Sequence, residues 1–215
     1  MTAADVAAVV ESLSGPDAWL PLALRRLEQD PLARCLPADE RPALARAARA
    51  AGDAMARDAR RQGWGSAEAA LRALGVDLVE TDTQARSGPF VHHAVYTAPP
   101  PRVTLFREPI TALERVLATP PLSARLGGVP AREVILAHEL FHHLVQTGGA
   151  PATVAPRVDT VRVGRWRRRG VVRAAEEIAA AGFAGAWSGV PCAPDLLDCL
   201  TAAACTEGAT APPWP

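Results

Sequence analysis

The order of apolar and polar positions along this chain predicts helices first, then a few strands, then helices again. Residues 3–13 read as a helix stopped by Ser14-Gly15-Pro16. Residues 17–28 read as a second, with Pro21 in the first turn, where proline is tolerated. Residues 38–61 form a long alanine- and arginine-rich helix, with Pro42 near its start and Gly63 beyond its end. Ser66 caps a short helix that runs to Leu74 and stops at Gly75. The period then changes. Residues 76–80, 90–97 and 102–107 read as strands, the last two joined by Ala98-Pro99-Pro100-Pro101, so a small antiparallel sheet is expected. A helix at 109–118 follows and is broken by Thr119-Pro120-Pro121.

Residues 133–145 are apolar almost all round: Val134, Ile135, Leu136, Leu140, Phe141, Leu144 and Val145 cover every side of the predicted helix. Such a helix is buried. Set into it are His138, Glu139 and His142, in the pattern His-Glu-x-x-His. A helix turns once in about 3.6 residues, so His138 and His142 share a face and can aim two nitrogens at one point. Buried polar groups need partners, and a metal ion serves two histidines well. Glu139, beside the first histidine, can take a proton from a water at an open coordination position. The expected ion is zinc, although two histidines and a carboxylate also suit manganese or iron.

A catalytic zinc site has three protein ligands and one open position. The third ligand is sought downstream, where Glu176 and Glu177 lie in a helix rich in small residues that allow close packing. Neighbours on a helix point about 100° apart, and periodicity alone does not choose between these two.

The segment His138-Glu139-Leu140-Phe141-His142-His143, followed by Glu177-Ile178-Ala179-Ala180-Ala181-Gly182-Phe183-Ala184, resembles the ImmA/IrrE family of metallopeptidase-like proteins. In that family a later helix carries Glu-x-x-Ala-x-x-Phe-Ala, and its glutamate is the third ligand. Glu177, Ala180, Phe183 and Ala184 fall in that register, which leaves Glu176 as a neighbour. The resemblance covers roughly residues 66–200. It implies an α+β, zincin-like fold, mostly helical, with Zn2+ held by His138, His142 and Glu177 and with Glu139 as general base. A protein or peptide substrate would be cleaved, with one strand of the sheet pairing its backbone. The alternative is a metal-bearing regulatory or protein-binding module of the same fold with little or no proteolysis. The chain departs from the pattern in two places. The interval between His142 and Glu177 is long, and Trp187-Ser188 stands where the family has two leucines.

Composition narrows the setting. The 215 residues divide into a helical N-terminal extension at 1–65, a metallopeptidase domain at 66–208 and a tail at 209–215. All 23 basic residues are arginine, as in GC-rich bacterial coding, and 23 acidic residues balance them to zero net charge. No nucleic-acid partner is expected. The arginines of 38–61 are interleaved with Glu40, Asp53 and Asp58 and read as a solvated face. The first residues lack the basic and unbroken apolar regions of a signal peptide. The longest uncharged stretch, 178–194, is short and broken by glycine and proline. A cytoplasmic protein without a membrane partner is expected, with Cys35, Cys192, Cys199 and Cys205 reduced. His92, His93 and Tyr96 lie in the second strand; the histidines read as surface residues and the tyrosine as packed. Residues 150–170, with Arg165-Trp166-Arg167-Arg168-Arg169, read as a loop or loose hairpin over the site.

Overall fold

Helix α1 spans Trp19–Gln29 and buries Trp19, Ala23 and Leu27, one residue per turn along one side. The computed structural model describes residues 17–83, 86–87, 90–119, 122–123, 128, 130–148, 151, 153–163, 166–190, 197 and 200–201. The expected helix at 3–13, the tail at 209–215 and Cys192, Cys199 and Cys205 lie outside them. Near the C-terminal end of the described residues, Leu197, Leu200 and Thr201 are helical and buried.

The chain leaves α1 at Asp30, whose carboxylate accepts from the backbone N–H of Leu32 and Ala33. A 3-10 turn at Ala33–Cys35 follows, then α2 at Arg41–Arg60 with Pro42 in its first turn. Helix α3, Ala67–Ala73, starts where Ser66 accepts from the backbone N–H of Ala69 at 3.1 Å. That bond satisfies one of the unpaired first-turn donors.

Strand β1 is Asp77–Thr81, and a short antiparallel pair, β2 (Arg86–Ser87) and β3 (Phe90–Val91), comes next. Strands β4 (Ala94–Thr97) and β5 (Arg102–Phe106) complete a sheet of order β1-β5-β4. Its central strand buries Val103 and Leu105 completely. The sheet is mixed, which corrects the antiparallel expectation. β4 runs antiparallel to β5, but β1 pairs with β5 in parallel, Asp77 opposite Arg102. β4 therefore runs opposite to β1, and the chain reverses again at 98–101, so β5 emerges in the direction of β1 and lies between the other two. The single strand expected at 90–97 is also two strands, with His92 and His93 at the break.

Helix α4, Arg107–Leu117, leads towards α5, Ala131–Gly148, which carries the His-Glu-x-x-His residues. Val134, Leu136, Ala137, Leu140 and Phe141 of α5 are buried in the core. Each large apolar side chain so buried contributes about 1.5–3 kcal/mol. The region expected as a loop or loose hairpin is a paired hairpin, β6 (Arg157–Val163) and β7 (Trp166–Val171). Its base is tied by Val172 N–H donating to the Pro156 carbonyl at 3.0 Å, and β6 lies against the 3-10 turn.

Helix α6, Arg173–Ser188, is the hub. It packs against α1, α2 and α5. A Cβ on Gly52 of α2 would lie 1.9 Å from the Ala179 carbonyl oxygen of α6, so only glycine fits there. The small residues expected to bring this helix close to α5 thus make their tightest approach to α2. Asp30 reaches across to accept from Ala174 N–H at 2.9 Å, satisfying a first-turn donor of α6 with a negative charge. At the other end Gly189, with φ 71°, closes the helix in the left-handed region.

Candidate metal centre

The site forms where α5 and α6 face each other. His138 and His142 sit one turn apart on α5, and their Nε2 atoms are 3.1 Å apart. From α6, Glu177 places Oε2 3.4 Å from His138 Nε2 and Oε1 3.6 Å from His142 Nε2. One ligand atom from each of the three residues lies within 4.8 Å of the others, so the three can hold a metal ion. Two donors on a tetrahedral zinc, each at ~2.1 Å, are separated by roughly 3.4 Å. The separations of 3.1, 3.4 and 3.6 Å lie around that spacing.

Both glutamates reach the site, although neighbours on a helix diverge. Glu177 meets the Nε2 side of the histidines. Glu176 accepts from His142 Nδ1 at 3.0 Å. A carboxylate on Nδ1 keeps the proton there and leaves the Nε2 lone pair facing the shared point, an arrangement typical of metal-ligating histidines. The side chains of His138, His142 and Glu177 are 26%, 17% and 38% exposed, so the centre is open to solvent on one side.

Electrostatics follow from this crowding. Burial works against a charged His138, but Glu177 and then Glu139 outweigh it and hold its pKa up at about 9. Burial likewise favours a neutral Glu177, yet His138, His142 and Arg26 hold its carboxyl well below the usual range. Glu139 is 6% exposed, and that burial pushes its pKa up against the opposing pull of His138 and His142. The backbone N–H of Tyr96 on β4 donates to its carboxylate. β4 is an edge of the sheet and packs on α5, so the edge strand lies beside Glu139.

Several residues around the site carry no sequence signal of their own. Arg26 of α1 donates to Glu177 Oε2 at 3.1 Å. Glu133, in the first turn of α5, accepts from Ala67 N–H at 2.8 Å and from Trp187 Nε1 at 2.7 Å, tying α3, α5 and α6 together. Trp187 stacks on Phe183 with centroids 5.8 Å apart, and Arg60 lies over its ring. This tryptophan replaces a leucine of the resembled pattern and anchors the far end of α6. His143 is buried and bonded through Nδ1 to the Tyr96 hydroxyl at 3.0 Å. His93, expected at the surface, is 7% exposed and bonded through Nε2 to Thr201 Oγ1 at 2.6 Å. It is buried because the break between β3 and β4 turns it inward. His92 at the same break is exposed.

No helix among the described residues is long and apolar enough to cross a membrane. No family model matches the chain, and no curated protein or solved structure matches it either.

Proposed function

We propose that the chain is a zinc-dependent peptidase whose centre is His138, His142 and Glu177 and whose general base is Glu139. The observation that supports this reading most is the convergence of three donors at zinc-like separations, with a buried, unligated carboxylate on the next residue. A site built only to brace the fold has no use for Glu139 in that position. Zinc bound here supplies Lewis acidity, which acidifies water and polarises a carbonyl.

The chain's own residues do the rest. Glu176 fixes the tautomer of His142. Glu139 takes the proton of the attacking water and returns it to the leaving amine. Burial raises its pKa towards the working pH, where a group that must both take a proton and give it up works best. The edge strand β4 offers backbone groups to an extended peptide beside that carboxylate. We place the reaction in the cytoplasm, where Cys35, a free and exposed thiol, stays reduced.

The test compares zinc-loaded wild type and Glu139→Gln on a fluorescence-quenched peptide pool. Turnover is expected to fall by ~10²–10⁴ with zinc content unchanged. Equal turnover by the two proteins would refute the mechanism. No turnover by either would favour a metal-bearing binding module.

A further inference from the structure

Helix α1 reaches into the metal centre through Arg26. Its Nη1 donates to Glu177 Oε2 at 3.1 Å, and that oxygen is the one 3.4 Å from His138. The other oxygen, Oε1, faces His142 at 3.6 Å. The carboxylate therefore straddles the two histidines with one oxygen engaged by a guanidinium. A carboxylate can bind a metal through one oxygen or through both. Ligation through both would fill the position a substrate needs, because a catalytic zinc site keeps one position open.

We infer that Arg26 is a positioning residue that restricts Glu177 to one-oxygen ligation and so keeps a coordination position open. The hydrogen bond draws on one of the two lone pairs of Oε2 and weakens that oxygen as a donor relative to Oε1. Arginine suits this task because its charge is permanent and its planar donors hold a carboxylate in a fixed orientation. The contact spans 151 residues of sequence, so helices from opposite ends of the described chain share the site. Asp30, four residues beyond Arg26, ties the same α1 terminus to Ala174 N–H at 2.9 Å and fixes the distance between the two helices. The inference rests on Glu177 being a metal ligand.

The experiment uses the full chain loaded with cobalt(II) in place of zinc, because cobalt's visible absorption weakens as its coordination number rises. Arg26→Met keeps an unbranched apolar stem in place of the arginine's and removes its donors. Its spectrum is expected to be clearly weaker than the wild type's, as the second carboxylate oxygen joins the metal. Arg26→Lys restores a cationic donor and is expected to fall between the two, and it carries the test alone if the methionine variant does not fold. Spectra of both variants identical to wild type would overturn the inference. Glu177→Ala, which leaves no donor atom, separates the underlying premise: a spectrum unchanged by that substitution would show that Glu177 is no ligand, whatever Arg26 does.

Discussion

The two sides of helix α6 solve opposite problems. Towards α2 it presents Ala179 and Gly182, and the backbones come so close that a Cβ on Gly182 would lie 2.7 Å from the Arg49 carbonyl. Towards α5 it presents Glu176 and Glu177, which reach across to two histidines at 3.0–3.6 Å. The first side has no chemistry but sets a position; the second has chemistry that depends on position. A shift of a few tenths of an ångström on the α2 side would carry both carboxylates with it. The comparison teaches that the glycine contacts position the helix that carries the candidate metal ligands, besides contributing stability.

The largest effect that sharpens this contrast is pH dependence on the charged side. In the protein alone His138 has a pKa of about 9, and a metal needs it deprotonated. Below that value a proton must leave when the metal binds, so affinity falls as pH falls, by roughly tenfold per pH unit. Glu177 is already ionised and adds nothing to the slope. Zinc titration by competition with a chromophoric chelator between pH 6 and 9 checks this. A flat profile would contradict the His138–Glu177 pairing.

Next comes Glu176→Ala, which frees His142 Nδ1. Loss of such a partner costs about 10–100-fold in metal affinity. The same titration at fixed pH measures it.

The smallest effect tests the other side. In Gly52→Ala the new Cβ must displace the Ala179 carbonyl, which has no rotamer by which to retreat. Overpacking costs about 1–3 kcal/mol, and a backbone neighbour puts this case near the top of that range. The ~1 kcal/mol that alanine gains over glycine in a helix does not offset it. The melting temperature is expected to drop by several degrees, at ~2–4 °C per kcal/mol for a chain of this size. Metal affinity should fall with it, by less than in Glu176→Ala. Lower stability with unchanged affinity would separate the two sides and break the comparison.

These contacts were unevenly legible in the sequence. His138 and His142 were readable because their relation is local: four residues on a helix define a face whatever surrounds it. The cap at Ser66 was readable for the same reason, whereas the helix containing Pro42 begins at Arg41 and not at residue 38. Glu177 was reached through a resemblance of motif, since geometry on its own helix left Glu176 equally eligible, and both indeed enter the site. The parallel pairing of β1 with β5 depends on how often the chain reverses between residues 81 and 102, which no local pattern encodes. Arg26 carries no signal in its own stretch of sequence, because its partner lies 151 residues away. Trp187 and Glu133 are likewise visible only once α5 and α6 are packed.

The most direct test of the whole account is metal content per chain, by elemental analysis, of wild type and His142→Ala prepared side by side with zinc supplied. Near-stoichiometric zinc in the wild type and its loss in the variant is the predicted result. Equal metal in the two proteins, or none in either, would contradict a centre built on His138, His142 and Glu177.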